Sequence, residues 1–207
     1  MNKESKTTIE NEELMESRLE QILNDALIKA TDTYSVPPQI IWVDNSTIAT
    51  LGNFSASTGK AKAKKTFNVS ALVAASLSNG TVLNYRACLP EGKRRILYVD
   101  TEQSRYHCHN VLARILKLAG LPTDMDNKNL DFIGLREYTP AIRMEVIDYA
   151  LAHNYGYGLV IIDGIRDLLL DINNAGESVE VINKMMEWSS KYDLHIHCVL
   201  HQKQGRQ

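Results

Sequence analysis

The sequence lacks any apolar run near the roughly 18–20 residues that a membrane-spanning helix needs. No transmembrane helix and no membrane partner are therefore expected. The N-terminus, Met1-Asn2-Lys3-Glu4-Ser5-Lys6, is polar and runs into acidic sequence without an apolar stretch, so no secretory signal is expected. Cysteine is scarce: Cys88, Cys108 and Cys198 are far apart, odd in number and never spaced C-x-x-C. That excludes a disulfide framework and points to free thiols in a reducing cytoplasm. Neither charge dominates, with 23 Lys+Arg against 25 Asp+Glu and a formal net charge of −2. A net basic field for nucleic acid is absent, which leaves only local contact with DNA open. There is no internal repeat and no low-complexity linker. What remains is 207 residues with an apolar share of 44%, enough for one cored domain with or without an appendage.

Residues 1–10 read as disordered. Residues 11–30 read as a helix, with Leu14, Leu19, Ile22, Leu23, Ala26, Leu27 and Ala30 leaning to one side. The helix packs on its own domain or docks on a neighbouring subunit. A break at residues 31–38, ending in Pro37-Pro38, separates it from the rest, giving an N-terminal segment 1–38 and a core 39–207. From residue 39 strands and helices alternate. Strands are expected at 40–43, 46–51, 53–58, 95–99, 130–135, 159–162 and 195–200. Helices are expected at 66–78, 104–119, 140–153 and 177–191. Unbroken Val/Ile/Leu strands between helices predict an α/β fold with a mainly parallel sheet covered on both faces.

Four segments carry chemistry. The first is Gly59-Lys60-Ala61-Lys62-Ala63-Lys64-Lys65-Thr66, followed by Phe67, between an expected strand and an expected helix. Strand, Gly-x4-x-Lys-Thr, helix is the layout of a P-loop, where backbone N–H groups and a helix N-terminus converge on phosphate. Lys65 fits the phosphate-gripping lysine and Thr66 the Mg²⁺-binding hydroxyl. Lys64 stands where such a loop has its second glycine, a residue that permits positive φ. A solvated lysine-rich turn is the plainer alternative. The second segment, Leu159-Val160-Ile161-Ile162-Asp163-Gly164, puts a carboxylate at the end of a buried strand, where Asp163 can support Mg²⁺. The third, Ile96-Leu97-Tyr98-Val99-Asp100-Thr101-Glu102, ends another strand in acid. A glycine follows Asp163, so a general base must come from elsewhere; Glu102 is the candidate and Asp100 its competitor. The fourth, Ile196-His197-Cys198-Val199-Leu200-His201-Gln202, places Gln202, or else His201, where a γ-phosphate could be sensed. Arg166 most simply pairs with its neighbour Asp167.

Together with Gly52-Asn53-Phe54-Ser55 and Asp163-Gly164-Ile165-Arg166-Asp167, these segments resemble the RecA-like P-loop ATPases. The nearest resemblance is to AAA-family proteins related to RepA-type replicative hexameric helicases of plasmids and bacterial mobilizable elements. It covers roughly residues 39–203. It implies a core that binds ATP with Mg²⁺ and hydrolyses it at a subunit interface of a homo-oligomeric ring or hexamer, with DNA as partner. By position it makes Lys65 and Thr66 the Walker A pair, Asp163 the Walker B aspartate, Glu102 the catalytic glutamate and Gln202 the sensor. Family cores continue beyond the equivalent of Gln202 with further strands, DNA-binding loops and an arginine finger, so the resemblance implies a core cut short at its C-terminal end. Two other readings stand beside the ATPase: a non-catalytic nucleotide-binding regulatory or assembly subunit, and a P-loop small-molecule kinase.

Overall fold

Strands that are apolar on both faces need cover on both faces, and the computed structural model supplies it. It describes residues 3–59, 65–169 and 175–201. The chain divides into two compact units, residues 1–36 and 37–207. The first consists of one long helix, α1 (Lys3–Ala26). Residues 3–10, expected to be disordered, are helical. They carry few apolar residues, and helix propensity from Glu and Lys runs on where the apolar stripe stops. The apolar side chains Leu14, Leu19, Ile22 and Leu23 are exposed.

The second unit runs β1 (Gln39–Val43), β2 (Ser46–Thr50), β3 (Phe54–Gly59), α2 (Lys65–Ser78), β4 (Thr81–Val82), β5 (Tyr85–Ala87), β6 (Arg95–Asp100), α3 (Arg105–Leu118), β7 (Leu130–Gly134), α4 (Pro140–His153), β8 (Tyr157–Asp163), a 3-10 turn (Ile165–Leu168), α5 (Ala175–Lys191) and β9 (His195–His201). Strands β3, β9, β8, β6 and β7 lie in that order, all parallel, with β3 and β7 at the edges. This is an α/β layout with a five-stranded parallel sheet between helices, consistent with a RecA-like P-loop NTPase core. The expected strands 40–43 and 46–51 do form, but they join β5 and β4 in a separate antiparallel sheet ordered β2-β1-β5-β4.

Alternation along each central strand divides the core in two. Ile96, Tyr98, Leu159, Ile161 and Val199 face Val69, Leu72 and Val73 of α2 and Val111 and Ile115 of α3. Leu97, Val99, Val160, Ile162, Ile196 and Cys198 face Ile147 and Leu151 of α4 and Val181, Met185 and Trp188 of α5. Trp188 is fully buried, and its indole N–H donates to Asp148 Oδ1 at 2.6 Å. Helix α2 is apolar almost all round, as a buried helix must be. Its end is set by Asn79, at φ +51°, and Gly80, whose N–H donates back to Ala75. Helix α4 starts as its sequence demands, with Thr139 accepting from the Ile142 N–H and Pro140 in the first turn.

Two histidines sit inside this core, His195 and His197, 1% and 5% exposed. Burial pushes each imidazole down to about 4, with the neighbouring His195 adding to the effect on His197. An unfolded chain protonates such rings from about pH 6.5 downward, whereas the folded chain resists until about pH 4. Their contribution to stability is thus intact above pH 6.5 and is lost as the pH falls towards 4, by up to about 3 kcal/mol per ring. Urea denaturation of wild type and His197→Gln across this window checks it. The difference between the two proteins should shrink as the pH falls from 6.5 to 4; a constant difference would show that the ring is not buried neutral.

Candidate functional site

The five parallel strands deliver their C-terminal ends to one edge: Gly59 from β3, Asp100 from β6, Gly134 from β7, Asp163 from β8 and His201 from β9. In open α/β sheets this edge is where ligands bind. Asp100 and Asp163 are register partners on adjacent strands, as are Gly59 and His201. Strand β9 lies between β3 and β8, with Val199 opposite Asp163.

Lys65 opens α2 and is 8% exposed. Its ammonium donates to the carbonyl of Gly59, the last residue of β3, so the two ends of the Gly59–Lys65 loop are tied together. Thr66 is half-buried, and its carbonyl accepts from Ser70 Oγ at 2.6 Å. Phe67 is exposed. Lys60, Ala61, Lys62, Ala63 and Lys64 lie outside the described residues, as does Gln202.

Asp163 is buried. The Tyr98 hydroxyl donates to its Oδ2 at 2.9 Å, and Tyr98 stacks on Phe132 with ring centroids 4.4 Å apart. Burial, and after it the charge of Asp163, pushes the Tyr98 phenol well above its ordinary range, so it stays a donor. Tyr98 therefore fixes one carboxylate oxygen of Asp163.

Asp100 is fully buried. Its Oδ1 accepts the backbone N–H groups of Glu102 and Gln103 at 3.0 and 2.7 Å, and its Oδ2 accepts the Gln103 side-chain amide at 2.7 Å. Three N–H donors engage both oxygens of this carboxylate, which shapes the turn. Glu102, held on that turn by its own N–H, is exposed. Between them, Thr101 joins the two acidic strand ends. Its N–H donates to the Asp163 carbonyl at 3.1 Å, and its hydroxyl lies 3.0 Å from that carbonyl, 2.9 Å from the Gly164 carbonyl and 3.0 Å from Asp167 Oδ2.

Asp167 therefore faces Thr101, and among the described residues it forms no ion pair with Arg166. The arginine that organises this edge is Arg143 on α4. Its guanidinium donates to the carbonyls of Leu135, Arg136 and Asp167 and ties the loop after β7 to the turn after β8. Motif reading gives Arg143, Tyr98 and Thr101 no role because the groups they hold around the β8 end, Asp167, Asp163 and Gly164, lie 24, 65 and 63 residues away in sequence. For Tyr98 the available signal was a phenol inside an otherwise aliphatic strand, since a buried tyrosine hydroxyl needs a partner.

The donor set fits a magnesium nucleotide. A buried ammonium stands at the first turn of a 14-residue helix, where anions are favoured. A buried carboxylate ends a central strand of the same edge, and hard oxygen donors of this kind suit Mg²⁺. Sheet order, loop position and acidic strand ends together define a P-loop nucleotide-binding fold of the RecA-like kind. A family model described as AAA domain matches residues 17–207, and the chain belongs to that family of P-loop ATPases. No curated protein matches the chain. Among the described residues no helix is long and apolar enough to cross a membrane.

Proposed function

We propose that the chain is a RecA-like ATPase that binds Mg²⁺–ATP at this edge and hydrolyses it to drive DNA handling, in replication, unwinding or mobilization, as a homo-oligomeric RepA-type protein of the cytoplasm. The single observation that carries the reading is the shared edge: buried Lys65 at the head of α2, buried Asp163 ending β8, and Glu102 on the adjoining turn. Residues 39–207 are the catalytic core in this reading, and residues 1–38 its helical appendage.

ATP supplies the phosphoanhydride, and Mg²⁺ the charge that offsets its oxygens. The residues supply placement. Lys65 would meet phosphate charge with its ammonium, and Gly59, Lys60, Ala61, Lys62, Ala63 and Lys64, with Thr66 and Phe67, would supply the phosphate-binding residues. The Thr66 hydroxyl and the Asp163 carboxylate would hold Mg²⁺. Glu102 would accept the proton of the attacking water; its exposure suits that role, whereas both Asp100 oxygens already accept hydrogen bonds within the turn. Gln202, the residue after β9 in sequence, would report the γ-phosphate.

Phosphate release from Mg²⁺–ATP by the intact chain, with and without single-stranded DNA, tests the reading. Inorganic phosphate appearing faster with DNA supports it. Phosphate carried to an added small-molecule acceptor would favour the kinase. Nucleotide bound without turnover would favour the regulatory subunit, which the lysine at position 64 also suits.

A further inference from the structure

The strand that launches the phosphate loop is poorly anchored by apolar packing. β3 is an edge strand, and its outward residues Phe54, Ala56 and Thr58 are exposed. Its inward residues are Ser55 and Ser57, both half-buried. They meet His195 and His197 of β9. The His195 Nδ1–Thr50 carbonyl separation is 2.9 Å, and Ser55 Oγ lies 2.8 Å from His195 Nε2. Ser55 Oγ also lies 2.8 Å from His197 Nδ1, and Ser57 Oγ lies 2.8 Å from His197 Nε2.

With both rings neutral, only one proton placement satisfies all four contacts. The Thr50 carbonyl can only accept, so His195 carries its proton on Nδ1. Its bare Nε2 then accepts from the Ser55 hydroxyl. Ser55, its proton spent, accepts from Nδ1–H of His197, and the bare Nε2 of His197 accepts from the Ser57 hydroxyl. All four bonds point the same way, from Ser57 beside the loop down to Thr50. A fully satisfied polar network rigidifies the strands it joins and specifies one arrangement.

We propose that this Ser57–His197–Ser55–His195 ladder is a positioning device for the nucleotide site, locking β3 to β9 so that the C-terminal ends of the two strands, Gly59 and His201, move as one body. The proposal rests on the ATPase reading for its function, but not for its geometry. The last rung ends on Ser57, whose register partner is Val199, two register pairs below Gly59–His201, where the loop begins. His197 and Ser57 act through the strands they join and touch no reacting atom.

Long-range ¹⁵N–¹H correlation spectra of the intact chain at pH 7.5 read the tautomers directly. Both rings should be neutral with the proton on Nδ1, although free imidazole side chains favour Nε2–H. A Nε2–H tautomer at either ring overturns the ladder. Ser57→Ala removes one rung with little risk to folding. Losing one hydrogen bond should raise amide exchange about fivefold in β3 and β9 together and lower kcat for ATP about fivefold, with ATP affinity within about twofold of wild type. Ser57→Thr, which restores the hydroxyl on a strand-compatible residue, should restore both. Wild-type kcat in Ser57→Ala, or exchange rising in β3 alone, overturns the coupling. A wild type that turns over no ATP defeats the ATPase reading instead, and the tautomers and exchange then decide the ladder by themselves.

Discussion

Lys65→Ala will bind Mg²⁺–ATP about 100-fold more weakly than wild type. The lysine is 8% exposed and stands at the first turn of α2, its ammonium against the carbonyl that closes β3. Charge-assisted hydrogen bonds of the kind it would make to phosphate are worth about 1.5–3 kcal/mol each, and an affinity changes tenfold per 1.4 kcal/mol. Alanine is the best helix former, so α2 itself is not at risk. Lys65→Arg keeps the charge but replaces a compact ammonium with a planar fork, and should recover only part of the affinity. Calorimetric titration of the three proteins checks this, with circular dichroism as the control for folding. Affinity within about threefold of wild type in Lys65→Ala would mean that this loop is not the phosphate grip.

The second large effect falls on a glycine. Gly164 follows Asp163 at φ +99°, a conformation that side-chain-bearing residues rarely adopt. A Cβ there would sit 2.2 Å from Thr101 Oγ1, 3.0 Å from Asp167 Oδ2 and 3.0 Å from Glu102 Cγ. Thr101 joins the two acidic strand ends, so it cannot withdraw without giving up those bonds. Backbone strain of about 1–3 kcal/mol and overpacking of about 1–3 kcal/mol add to an expected loss of about 2–6 kcal/mol in Gly164→Ala. Gly134→Ala is the matched control. It also stands at a strand end of this edge, but its added Cβ would meet only Cys108 Sγ at 3.5 Å, an ordinary contact. Urea denaturation should show the large loss in Gly164→Ala and little in Gly134→Ala. Because Glu102 is one of the displaced groups, ATP turnover should fall further than lost stability explains. Equal stability of the two variants would contradict the close packing assigned to the Asp163–Gly164 turn.

Much of the core was legible because its signals are local. Runs such as Ile96–Val99 and Leu159–Ile162 are apolar at every position, which only a strand covered on both faces requires. Thr139-Pro140 and Asn79-Gly80 mark helix ends through their own backbone chemistry. The candidate site residues stood out for a related reason: Asp100 and Asp163 end apolar strands, Glu102 lies two residues beyond the first of them, and Lys65 and Thr66 open a helix. What was not legible is long-range pairing. β1 and β2 read correctly as strands, yet nothing local says that they leave the parallel sheet. The hairpin of β4 and β5, with strands of two and three residues, is too short for alternation to show. The helix begins at Lys3 because propensity carries it beyond its apolar stripe. His195 and His197 were recognisable as alternating strand residues, but their partners Ser55 and Ser57 stand about 140 residues away and emerge only from the β3–β9 register. Asp100 and Glu102 both stand as candidates for the base on sequence; the three N–H donors around Asp100 are what favour Glu102 in the proposed mechanism.

The most direct test of the account is phosphate release from saturating Mg²⁺–ATP by wild type and Glu102→Gln, with ATP affinity measured on both. Glutamine keeps the shape of the side chain but cannot take a proton from water. The account predicts that both proteins bind ATP with similar affinity and that the variant releases phosphate about 10²–10⁴-fold more slowly, the usual worth of a general base. Equal rates in the two proteins, or a wild type that binds ATP and never releases phosphate, would contradict it.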